Sequence, residues 1–139
     1  MRRIRIFLIL CVIATGFCFG QLPHTFTQYT SEDGLSQNTI MSILQDDKGV
    51  MWFATWDGLY KFDGYTFNNY KAHPGDSIGL SNNRLDNIKE DRYGYIWVQS
   101  YNHQVYRFNP RLERFQAIPY DNYLSLDMYV LPCGHVWII

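Results

Sequence analysis

The sequence predicts an all-β protein built from four-stranded antiparallel β-propeller blades, an incomplete N-terminal part of a larger propeller. The first sign is a repeat. Gly34-Leu35-Ser36-Gln37-Asn38 returns as Gly79-Leu80-Ser81-Asn82-Asn83, and the step from Gly34 to Gly79 is 45 residues. The same step sets Ile43 on Ile88, Asp46 on Asp91, Gly49 on Gly94 and Trp52 on Trp97. The second sign is the pattern inside each copy: short apolar runs separated by Asp-Gly-type turns, with no sustained helical spacing. The third is the Gly and Trp recurring at fixed places in a period near 45, each unit being an element that cannot bury its apolar face alone.

Residues 1–20 read as a secretory signal peptide. Met1-Arg2-Arg3-Ile4-Arg5 is basic, and Ile6 to Gly20 is almost wholly apolar. That run falls short of the ~20 residues of a membrane span. Cys18 and Gly20 are small residues ahead of a cut before Gln21. An uncleaved anchor is the alternative. Residues 21–33 form a lead-in strand or linker, 34–78 the first blade, 79–122 the second, and 123–139 the start of a third that is truncated.

Four strands follow in the first blade. Thr39 to Gln45 ends at the turn Asp46-Asp47-Lys48-Gly49, where Asp bonds its own backbone and Gly accepts positive φ. Val50 to Thr55 is apolar at every other position on both faces, as in a doubly buried strand. Trp56-Asp57-Gly58 turns into Leu59 to Phe62, and Asp63-Gly64 turns into Tyr65 to Tyr70. The second blade repeats the plan over Arg84 to Glu90, Tyr95 to Ser100, Gln104 to Phe108 and Arg114 to Ile118, with one inserted residue near His103. Gly134-His135-Val136-Trp137 opens the second strand of a third copy. Gly49, Gly94 and Gly134 are therefore turn residues, and Trp52, Trp97 and Trp137 are core wedges between blades.

The stretches Phe26-Thr27-Gln28-Tyr29-Thr30-Ser31-Glu32-Asp33-Gly34-Leu35-Ser36-Gln37-Asn38, Asp46 to Thr55 and Asp57 to Gly64 resemble two-component regulator propeller repeats. These form the periplasmic sensor region of Bacteroidetes hybrid two-component systems. The resemblance implies a periplasmic sensor of two propellers, followed by a β-sandwich domain, a transmembrane helix and a histidine kinase. It implies as partners the remaining blades, the downstream kinase, a small-molecule ligand and a second copy in a homodimer. The second copy departs from the pattern at Gln99 to Gln104, and the third lacks the turn Asp.

Several chemistries are set aside. Losing Arg2, Arg3 and Arg5 with the signal peptide takes 12 basic residues to 9 against 13 acidic ones, a formal charge of −4. Such a body has no electrostatic footprint for nucleic acid. His24, His73, His103 and His135 share no metal-ligand spacing, and Cys133 has no cysteine partner outside the signal peptide, so no metal and no cofactor is expected. No catalytic constellation occurs in these residues, which leaves enzymatic activity open, and the resemblance implies a histidine kinase as the parent. The loops between second and third strands are the ligand candidates, because propeller ligands gather at such loops. They carry Trp56, Asp57, Tyr101, Asn102 and His103: aromatic faces for a sugar ring, with polar groups for its hydroxyls, or else residues that pack the blade edge. The leading reading is a sensor fragment that detects an oligosaccharide or other small ligand. The alternatives are a secreted lectin-like scaffold and, behind it, a propeller hydrolase or lyase.

Overall fold

The computed structural model describes residues 25–73, 75, 79–119, 127–131 and 133–139. The signal-peptide reading and His24 lie outside them. No helix among the described residues is long and apolar enough to cross a membrane.

Two four-stranded antiparallel sheets follow one another in the chain. The first holds β1 (Ile40–Gln45), β2 (Met51–Thr55), β3 (Gly58–Phe62) and β4 (Phe67–Tyr70) in that order. The second holds β5 (Leu85–Glu90), β6 (Ile96–Ser100), β7 (Val105–Asn109) and β8 (Arg114–Ala117), again in order. A third, two-stranded sheet pairs β9 (Met128–Val130) with β10 (Val136–Ile138). Strand ends fall within two residues of those read from the sequence. No strand forms over 25–33 of the lead-in. Ser31–Asp33 instead makes a short 3-10 turn, because the Thr30 hydroxyl accepts from Glu32 N and the Asp33 carboxylate accepts from Thr30 N.

Two hydrogen-bonded pairs explain the repeat. Asp46 Oδ1 accepts from Lys48 N and Val50 N, while its Oδ2 accepts from Trp52 Nε1 at 2.9 Å. Asp91 does the same for Tyr93 N, Tyr95 N and Trp97 Nε1 at 2.8 Å. One carboxylate thus closes a turn and fixes a tryptophan six residues on. The third turn keeps the backbone bond from Gly134 N to Leu131 O but has Leu131 in the carboxylate's place. Gly49, Gly94 and Gly134 all hold positive φ there, as the turns require. The second pair joins the Gly-Leu-Ser opening to the third strand. Ser36 Oγ bonds Tyr60 Oη, and Ser81 Oγ bonds Tyr106 Oη at 2.6 Å.

The core lies between the first two sheets. Register partners share a face. Trp52 pairs with Leu44 and Lys61, and Ala54 with Leu59, which pairs with Tyr70. This face meets Ile88, Val98 and Tyr106, together with Ile96, Phe108 and Phe115, on the second sheet. Trp52 and Tyr70 both pack on Phe108, at centroid distances of 5.6 and 4.7 Å. Polar ties cross the same seam: Gly58 N to Asn83 O, Ala72 N to Asn83 Oδ1, and Tyr70 Oη to Glu113 Oε1.

Two expectations need correction. β2 is buried on one face only. Trp52 and Ala54 are covered by the second sheet, whereas Met51 and Phe53 are half-buried. Among the described residues, Tyr29 packs on their side, edge-on to Phe62 and Phe67. The three tryptophans are also unequal. Trp52 is 1% exposed, Trp97 is half-buried and Trp137 is 60% exposed. Each holds the same place on its sheet, but among the described residues only Trp52 has a full four-stranded neighbour against it.

Asp91→Ala tests the repeated turn. It removes an acceptor of three bonds and leaves the Trp97 indole N–H without its partner, so a loss of ~2–3 kcal/mol is expected. Denaturant melts of the intact protein read it, and a change below ~0.5 kcal/mol would show that the carboxylate is dispensable.

Candidate functional site

The candidate loops are the β2–β3 and β6–β7 turns, and a buried hydroxyl builds each. Thr55 Oγ1 donates to Gly58 O and accepts from Asp57 N, both at 3.0 Å. Forty-five residues later, Ser100 Oγ bonds Gln104 O at 2.9 Å and Asn102 Oδ1 at 2.6 Å. The inserted residue makes the second turn wider. Positive φ falls on Gly58 in the first and on His103, at 66°, in the second.

The five candidate residues divide. Trp56 and Tyr101, 44% and 53% exposed, are brought together by a residue that sequence reading missed. The Arg84 guanidinium carbon lies 4.4 Å from the Trp56 ring centroid and 3.9 Å from that of Tyr101. Asp57 turns back into its own blade, where its carboxylate accepts from Ser36 Oγ at 2.9 Å and pairs with Lys71 Nζ at 2.5 Å. Asn102 is held by Ser100. His103 points elsewhere, lining a cleft of about 390 Å³ along the inner strands with Ser42, Asp86, Asn87, Gln99 and Asp127. Both innermost strands carry a β-bulge at the start, between Ile40 and Ser42 and between Leu85 and Asn87. The bulged residues, Met41 and Asp86, both line this cleft, as bulges re-aim side chains. Asp86 Oδ1 is shut off from solvent with no described partner. In the third turn, Cys133 Sγ lies 3.1 Å from His135 Nδ1.

Burial would raise the Asp57 pKa, but Lys71, Ser36 and Tyr60 outweigh it and hold the carboxyl below its ordinary value. A depressed folded pKa contributes stability that is present above the unfolded value and lost as pH falls through the folded one. The Asp57 tie between the turn, β4's end and Ser36 is therefore expected to weaken below about pH 4. Asp57→Asn should flatten that part of the stability–pH curve of the intact protein. An unchanged acid limb would place the dependence elsewhere.

The family model described as "Two component regulator propeller" matches residues 34–57. Histidine kinase P4 of Formosa agariphila is 48% identical over 56 residues, which is 40% of this chain and 4% of that protein. Among solved structures, the extracellular domain of a protein described as a hybrid two component system from B. thetaiotaomicron superposes with a TM-score of 0.70 at 26% identity. That match covers 84% of this chain and 18% of the other. PorZ, described as a surface component of the type-IX secretion system of Porphyromonas gingivalis, shares the fold, with a TM-score of 0.52 and 18% identity. It covers 73% of this chain and 15% of the other. The chain spans less than a fifth of each of these proteins.

Proposed function

We propose that this chain, whose residues 34–57 match the two-component regulator propeller model, is the N-terminal part of the ligand-sensing propeller of a hybrid two-component sensor histidine kinase. The observation that carries the reading is the pair of consecutive blades, alike in register and in their Asp–Trp and Ser–Tyr ties, on a chain similar to the extracellular domain of such a system. Residues 1–20 export the chain and are cut away before Gln21, which places the blades in the periplasm with the parent anchored downstream. Residues 34–78 and 79–122 are blades one and two, and 123–139 begin a third.

A small ligand, an oligosaccharide, stacks on Trp56 and Tyr101 with the Asn102 amide beside it on the rim, while Asp57 is engaged by Ser36 and Lys71 and His103 faces the neighbouring cleft. Both loops stand at blade tips, where propeller ligands gather. Binding rearranges the blades of a homodimeric parent and passes through the membrane to the kinase and on to transcription.

The test is a transcriptional response in cells carrying the intact protein. Wild type should respond to at least one oligosaccharide in a growth panel. Trp56→Ala with Tyr101→Ala should abolish that response at unchanged protein abundance and melting temperature. A full response from the double variant would remove these loops from ligand binding.

A further inference from the structure

We propose that Arg84 is an oxyanion-binding residue, so that the ligand taken at the Trp56 and Tyr101 loops carries a carboxylate or sulfate group; this rests on the loop-site reading above. Trp56 comes from the first blade and Tyr101 from the second, and both rings press on one planar cation at the head of β5. Aromatic faces hold a guanidinium's charge but bond none of its N–H donors, which lie in its own plane. Among the described residues Arg84 forms no ion pair, its side chain donates no hydrogen bond, and Nε is shut off from solvent with no acceptor. The neighbouring carboxylate of Asp57 is engaged by Lys71 instead.

A buried N–H without an acceptor, as at Arg84 Nε, is costly. The fork of a guanidinium edge matches the paired oxygens of a carboxylate or sulfate, and the flanking rings match the apolar face of a sugar. Together they describe a uronate or a sulfated sugar. A neutral sugar would leave the cation uncompensated. Two further facts single the residue out. The blade plan does not demand it, since Thr39 stands at the equivalent position of the first blade. The chain as a whole is not basic either, its formal net charge being −1.

The experiment presents the intact solubilised protein to an array of neutral, uronate-containing and sulfated oligosaccharides. Arg84→Gln, Arg84→Lys and the Trp56→Ala/Tyr101→Ala pair run alongside, with a melt of each. The bound sugars should be anionic. Arg84→Gln should weaken them by about tenfold or more, with Arg84→Lys between, since lysine keeps the charge but loses the fork. Carboxyl reduction or desulfation of the bound sugars tells which oxyanion is read. Neutral binders that survive Arg84→Gln but not the aromatic pair would overturn the oxyanion role and leave the loop site standing. Anionic binders indifferent to all variants, or no binder at all, would overturn both. Should Arg84→Gln lower the melting temperature, Arg84→Lys carries the comparison.

Discussion

Replacing Trp52 with alanine is expected to destabilise the propeller by ~3–5 kcal/mol. The indole is 1% exposed and wedges between the sheets, edge-on to Phe108 and stacked at 6.3 Å on Tyr70. Truncation empties that space, and close-packed sheets cannot collapse to refill it without breaking the ties at Asn83 and Glu113. It also strips Asp46 Oδ2 of its donor. Trp52→Phe keeps much of the volume and loses the hydrogen bond, so a smaller loss of ~1–2 kcal/mol is expected. Tyr65→Ala, at 92% exposure, should be nearly neutral. Denaturant melts of the intact protein would rank the three. A loss below ~1 kcal/mol for Trp52→Ala would mean that the two sheets do not share a core.

Gly58→Ala should cost at least ~3 kcal/mol, although it adds one methyl group. Gly58 holds φ +113°, which an L side chain rarely adopts. A Cβ there would lie 2.5 Å from Tyr70 O and 2.7 Å from Asn69 Oδ1. The backbone carbonyl cannot rotate away, because Leu59 and Tyr70 are register partners and Gly58 N is itself bonded to Asn83 O on the next blade. Gly64→Ala is the control. Its φ is +100°, but nothing lies within 4 Å of its Cβ, so it should lose only ~1 kcal/mol. Equal melts for the two would contradict the close approach.

The blade plan was legible because its devices are local. A carboxylate that closes a turn and holds a tryptophan six residues on leaves Asp-x-x-Gly-x-x-Trp in the sequence, twice. The Ser–Tyr tie was half legible: both residues recur, but nothing in a string shows that positions 24 or 25 apart touch. Burial of β2 was misjudged for a physical reason. Apolar residues on both faces report what a strand is built to meet, and the described residues hold only one of its two neighbours. The candidate site was legible at Trp56 and Tyr101, which are exposed aromatics in turns. It was misread at Asp57, whose lysine partner lies 14 residues away on the end of another strand. Arg84 and Asp86 were missed, yet each left a mark. They stand where the first blade has Thr39 and Met41, and a repeat that breaks its own pattern at a strand head marks a position the fold does not dictate.

The central claim is that these sheets are consecutive blades of a ring. It has a consequence on the outer face of the first sheet. There Ile43 pairs with Phe53, which pairs with Tyr60, and Met51 pairs with Phe62, which pairs with Phe67. The equivalents on the second sheet, Ile88, Val98 and Tyr106 with Ile96, Phe108 and Phe115, are all buried by the first blade. By the same register, another blade should cover Ile43, which is 58% exposed on this chain. The most direct measurement is thiol labelling of Ile43→Cys in the intact protein, with Cys133 replaced by serine and Tyr65→Cys as the exposed reference. The ring predicts that the cysteine at 43 resists a maleimide until the protein is denatured. Labelling at 43 as fast as at 65 in the native protein would contradict it.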